Sequence, residues 1–286
     1  MSTHQGKLTR RPPVSVRRAL CREVGFRCPV EGCGSPYLTF HHFDPPWRTK
    51  RHHAPEGMIA LCSNHAAKAD QNYYPDDFLR RLKREGAGRA NWVRGEFDYL
   101  RRELLVIVGS NAYYKVDTIL QVANKRAIYF NRDDNGYLLL NFQLPGANGQ
   151  PRAWMEDNVW IVPPGAENVD CPPRGRYLEV RFPNGDRFRI EYTEVAGAEE
   201  YRKKYPNHDA LLDQLVFPLT VAEFWERSAG AGIELGRDAT RIGTNVVRGG
   251  TISGASVGIM VGSGALSEER AEEVAAAVTA FNRGRA

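Results

Sequence analysis

The sequence predicts an α+β chain, with a small zinc-bound N-terminal module flanked by helices, then a β-rich domain and a terminal helix. Three observations predict this. Cys28–Asp70 holds three of the five cysteines and five of the seven histidines. Ser15–Val24 and Pro75–Glu85 carry apolar residues at helical spacing with arginines and lysines around them. From about Val106 the texture changes to short apolar or alternating runs parted by turn sequences, the signature of antiparallel strands.

At 286 residues the chain exceeds the usual single-domain length. The expected division is a flexible basic arm (1–14), a zinc module with a helical link (15–105) and a β-rich sensor, targeting or interaction domain (106–286). No run of about 18 apolar residues is present, which argues against a transmembrane helix. MSTHQGKLTRRPP has no apolar core of a secretory signal. Zinc-type cysteines without a disulfide framework point to a reducing cytoplasm. Cys21 and Cys171 are left over and read as inert buried thiols. The net charge of +5 is uneven: residues 1–105 hold 19 Lys/Arg and 11 Asp/Glu, net +8, and the remainder nets −3. The positive field sits with the zinc module and fits a polyphosphate partner.

Within the module, Cys28-x4-Cys33 occupies a Pro/Gly turn and Cys62-x2-His65 follows the apolar run Met58–Leu61. Two close pairs of soft or borderline ligands separated by an insert describe a closed tetrahedral zinc site. Unrelated buried thiols would not show paired spacing at both ends. Between the pairs, Thr39-Phe40-His41-His42-Phe43 reads as a short strand. Its adjacent histidines point to opposite faces and therefore do different jobs.

Cys-x4-Cys, a His-His strand, a loop, and Leu-Cys-x2-His opening a helix together resemble the HNH (His-Me finger) endonucleases of the zinc-stapled type. The resemblance covers about residues 15–85. It implies a ββα hairpin and helix gripping one catalytic divalent metal, Mg2+ or Mn2+, beside a structural Zn2+. By position, it makes His42 the general base and His41 a ligand of the catalytic metal. Cys28, Cys33, Cys62 and His65 become the structural zinc ligands. Two positions depart from the family. Gly57 stands where the middle Asn belongs, with His52 or His53 as candidate substitutes. Ala66 stands where a His or Asn holds the catalytic metal, and alanine cannot ligate. Either the protein binds without cutting, or this chain carries an inactivating substitution.

The resemblance implies DNA as the partner, with RNA the other candidate, and a role in defence against phage or plasmids. Arg17, Arg18, Arg48, Lys50, Arg51 and Lys68 are the expected phosphate contacts. Phosphodiester hydrolysis needs a base near neutrality, a cation for the developing charge and a cationic surface. A non-catalytic, zinc-stapled nucleic-acid-binding protein is the alternative, and a structural adaptor the third reading.

Along the remaining chain, Gly86-Ala-Gly88 is expected to break the second helix, and Asn91–Leu105 reads as a third amphipathic stretch. Strands are expected at Ile119–Val122, Ala127–Asn131, Tyr137–Gln143, Val159–Val162, Tyr177–Phe182 and Arg187–Tyr192. The Pro183-Asn-Gly-Asp186 turn between the last two is a strong hairpin signal. Glu199–Tyr205 and His208–Val216 read as short helices, while Val221–Ser228 carries no clear signal. Residues 229–264, Gly-rich with β-branched interleaving, read as closely stacked short strands, sandwich- or solenoid-like. Ser267–Asn282 reads as an amphipathic helix. Its apolar face needs a partner: its own domain, a second copy in a homo-oligomer, or another protein.

Overall fold

Polypeptide order in the computed structural model, which describes residues 8–89, 92–122, 125–145, 151–228 and 232–261, starts with α1 (Val14–Glu23). A turn region leads to β1 (Leu38–His42), which pairs antiparallel with β2 (Met58–Cys62), Leu38 facing Cys62 and His42 facing Met58. α2 (Ser63–Asp70) follows β2 without a break, and α3 (Asp76–Arg89) comes next. The second strand, MIALC, is buried at every residue because α1 and α2 both pack on it. That double cover is why the run reads as continuously apolar instead of alternating. Leu20 of α1, Leu79 and Leu82 of α3, and Met58, Ile59 and Leu61 of β2 share one core cluster.

The helix expected to end at Gly86 runs on to Arg89. Gly86 serves packing: a Cβ there would lie 2.9 Å from the Cα of Val24 and 3.3 Å from the carbonyl oxygen of Glu23. Its missing side chain lets α3 approach the end of α1. Residues 8–13 lie against the module, with Pro12 buried; the preceding seven residues lie outside the described ones. Where an amphipathic link was expected over 91–105, the chain forms β3 (Val93–Glu96), already part of the C-terminal sheet system.

That system continues with β4 (Leu105–Val108), β5 (Asn111–Tyr114), β6 (Thr118–Val122), β7 (Lys125–Arg132), β8 (Leu138–Pro145), β9 (Pro151–Glu156) and β10 (Val159–Val162). Then come β11 (Asn168–Asp170), β12 (Tyr177–Arg181), β13 (Arg187–Val195), α4 (Ala198–Lys204) and a 3-10 helix over Pro206–Gln214. β14 (Leu219–Ser228) fills the stretch the sequence left without a signal. β15 (Ile233–Leu235), β16 (Thr240–Ile242), β17 (Asn245–Val247), β18 (Thr251–Ser253) and β19 (Val257–Val261) occupy the Gly-rich region. The expected terminal helix, 267–282, lies outside the described residues.

One sheet runs β19-β6-β7-β8-β9-β10-β3. The other runs β11-β12-β13-β14-β15-β16-β17, with β4, β5 and β18 attached through β14. Their inner faces share one core, in which Phe142 of the first sheet meets Phe188 and Phe224 of the second at ring distances of 5.1 and 5.2 Å. The burial of β13 alternates, as a strand with one wet face requires. β4 is buried throughout: Val106 and Val108 face the inter-sheet core, and Leu105 and Ile107 face a second cluster with Tyr201 and Leu211. The chain is α+β and mostly sheet.

The two helix glycines separate packing from propensity. Gly88→Ala meets nothing within 4 Å and should raise stability by up to about 1 kcal/mol. Gly86→Ala should lower it by about 1–3 kcal/mol despite the same propensity gain. Urea midpoints of the two variants check this.

Candidate functional site

Cys28 and Cys33 sit on the turn between α1 and β1, closed by Cys28 N–H donating to Ser35 O and Cys33 N–H donating to Val30 O. Gly32 adopts a left-handed φ of +74°, which lets this turn curl back on itself. Cys62 ends β2 and His65 lies in the first turn of α2. The four ligand atoms all lie within 4.8 Å of one another. Cys33 Sγ and Cys62 Sγ are 3.8 Å apart, and His65 Nδ1 lies 3.3 Å from Cys28 Sγ and 3.2 Å from Cys62 Sγ. Tetrahedral zinc, with bonds of about 2.3 Å to sulfur and about 2.0 Å to nitrogen, demands edges of about 3.8 and 3.5 Å. The Cys3His cluster can therefore hold a zinc ion, as the spacing predicted. Burial pushes the Cys28 thiol up to about 12, so a bound cation is what would stabilise its thiolate.

The histidine pair behaves as strand alternation requires. His41 turns toward α2, where its Nδ1 lies 2.9 Å from Asp70 Oδ1. Burial lowers its pKa, and the Asp70 carboxylate opposes that. Asp70 also receives the Arg10 guanidinium, at 3.0 and 3.3 Å to its two oxygens. His42 turns the other way, into the loop after β1. Its ring lies 4.7 Å from Trp47 and 5.2 Å, edge-on, from His52. His42 Nε2 is 3.0 Å from the backbone oxygen of His52. A carbonyl only accepts, so Nε2 carries the hydrogen and Nδ1 carries the lone pair. That Nδ1 is buried and has no hydrogen-bond partner. Burial first, and His52 next, push the His42 pKa down to about 4.

Ala66 is buried on α2 and lines a cavity of about 1000 Å3 together with His41 and Asp70. His42 is not among that cavity's lining residues. At Gly57, any Cβ would fall 1.7 Å from the backbone oxygen of Asp44, so no asparagine fits there. Of the candidate substitutes, His52 donates from Nε2 to Pro45 O and accepts from Ala54 N–H at Nδ1, which commits both nitrogens. His53 donates from Nε2 to Thr9 O.

The expected phosphate contacts divide. Arg17 and Arg18 line the cavity; Arg48, Lys50, Arg51 and Lys68 do not. Arg48, Lys50 and Arg51 are exposed on the loop between β1 and β2, and Lys68 is half-buried on α2. Sequence reasoning missed Asp70. Its signal was available: it lies one helical turn after Ala66, on the same face. It also missed Arg174 and Arg176, which line the cavity from the sheet domain and carry no local signal. Cys21 and Cys171 line the same cavity; burial pushes both thiols up, Cys21 to about 12, and both stay protonated. No helix among the described residues is long and apolar enough to cross a membrane. Comparison of the chain with protein-family models, curated proteins and solved structures returns no match.

Purified protein should carry about one zinc per chain by atomic emission, and Cys33→Ser or Cys62→Ser should lose it and lower the melting temperature. An unchanged zinc content in both variants would rule the cluster out. Stability should also depend on pH. The unfolded His42 titrates near about 6.5, whereas the folded one holds off its proton to about 4. Between these values the unfolded chain binds the extra proton, so stability rises with pH. His42's contribution is complete above about 6.5 and fades as the pH falls toward about 4. His42→Gln should shrink the fall in urea midpoint between pH 7 and pH 5.

Proposed function

We propose that the N-terminal module is an HNH-type, metal-dependent phosphodiesterase fold acting on DNA. The observation that carries this reading is the strand–strand–helix unit that holds His42 with a bare Nδ1 and sets His41 beside Asp70, next to the Cys3His cluster. In this reading the zinc is a staple. His41 and Asp70 are the side chains that would hold a divalent ion, Mg2+ or Mn2+. An imidazole and a carboxylate suit such an ion, which keeps several waters. When bound, it supplies positive charge for the scissile phosphate.

The chain's own groups do the rest. His52's carbonyl fixes the His42 tautomer, so Nδ1 carries the lone pair that would take a proton from the attacking water. With its pKa pushed down to about 4 by burial, it is a weaker base than a free imidazole. The water oxygen bonds to phosphorus as the bridging P–O bond breaks. The released oxygen takes up a proton from solvent. Arg17 and Arg18 face the polyanion. The β-rich domain serves targeting or sensing, and defence against phage or plasmid DNA is the cellular role that the family resemblance implies.

A second reading, a zinc-stapled protein that binds nucleic acid without cutting it, is favoured by Ala66 and by the absence of His42 from the cavity that His41 lines. One assay separates them. Supercoiled plasmid with Mg2+ or Mn2+ should be nicked by Ala66→His faster than by the unaltered chain. His42→Ala in that background should reduce the rate about 100-fold or more. Absence of nicking by both forms, with plasmid still retained at low salt, selects the second reading.

A further inference from the structure

The cavity of about 1000 Å3 has two walls that belong to different parts of the chain. α1 contributes Arg17 and Arg18, and the segment between β11 and β12 contributes Arg174 and Arg176. Arg10 and Arg11 line it as well, against two acids, Asp70 and Asp170, giving a formal balance of six minus two, or +4. Among the described residues, Arg11, Arg17, Arg18 and Arg174 make no ion pair. The Nε atoms of Arg17 and Arg18 are buried without a hydrogen-bond partner. Like charges crowded into a cleft with low-dielectric walls focus an anion-attracting field. The guanidinium groups of the arginines that line the cleft are forked donors that match phosphate oxygens.

The cleft is aromatic as well as basic. Tyr99 and Tyr177 line it, and Tyr99 is held rigid by stacking on Tyr192 at 4.5 Å and 7°. A positively charged groove interleaved with aromatic rings is what an unpaired strand requires: phosphates meet cations and bases stack. The volume sets the size. It stands at the top of the range of about 300–1,000 Å3 for clefts that enclose a small molecule. That admits a few nucleotides of one strand, not both strands of a duplex.

We propose that this cleft is a binding site for single-stranded nucleic acid, with the sheet domain as its second jaw through Arg174 and Arg176. The proposal rests on the nucleic-acid reading given above and deepens it. His41 and Asp70 line the same cavity as these four arginines.

Fluorescence anisotropy on the full chain tests it, using a short labelled oligothymidylate and a duplex of equal length at low salt. The single strand should bind more tightly than the duplex. Arg174→Ala/Arg176→Ala and Arg17→Ala/Arg18→Ala should each weaken strand binding about tenfold or more and flatten its salt dependence. Arg174→Lys/Arg176→Lys should keep most of the affinity, as should Arg84→Ala, an exposed site outside the cleft. Zinc content and melting temperature certify that each variant is folded. Unchanged affinity in Arg174→Ala/Arg176→Ala overturns the proposal. So does tighter binding of the duplex, or competition by inorganic pyrophosphate at the concentration where the strand competes. Because binding is read without cleavage, a chain that grips the strand but never cuts overturns the nuclease reading alone.

Discussion

Four candidate ligand atoms, all within 4.8 Å of one another, bring a turn, a strand end and a helix start of the N-terminal module to one point. The turn carrying Cys28 and Cys33 has no helix or strand of its own, and β1–β2 is a sheet of two strands only. A two-stranded sheet is marginal in water without further support. An ion held by these ligands would fasten that turn to the joint where β2 becomes α2, and so fix the start of the helix and the end of the strand. The apolar cluster around Leu20, Met58 and Leu79 joins α1, β2 and α3 in one core.

Strand geometry decides where the two histidines of β1 point. Alternation sends His41 to the carboxylate on α2 and His42 to the aromatic loop, where burial keeps it neutral. This part of the site was legible because metal chelation and strand alternation are local in sequence. Asp70 was missed although it is equally local. The helix was expected to open at Leu61, whereas it opens at Ser63, and the family pattern marks only the residue directly after His65. Arg174 and Arg176 were beyond reach. They matter only because the sheet domain packs beside α1, and nothing near them in sequence announces that.

The fold divides along the same line. The hairpin at Pro183–Asp186 and the strands flanking it were legible, since a turn and two alternating runs are adjacent in the chain. The parallel pairings of β4 with β14, β5 with β18 and β6 with β19 join segments more than a hundred residues apart. They leave no periodic trace. The same holds for β14, whose burial at both core-facing and outer positions hides the alternation that marks an exposed strand. Gly86 misled for a related reason: a glycine that breaks a helix and one that admits a neighbouring helix look identical in sequence.

The two departures from the HNH pattern sit in different surroundings. Gly57 is imposed by the backbone. The loop after β1 returns so closely that the oxygen of Asp44 occupies the place of any side chain, and the Gly57 carbonyl accepts from the amides of Phe43 and Asp44. An asparagine there would cost the turn itself. Ala66 is buried in the module's core cluster and also borders the cavity beside His41 and Asp70. Its side chain offers no ligand atom. In the reading proposed above, it is the departure that would separate a strand-cutting module from a strand-holding one.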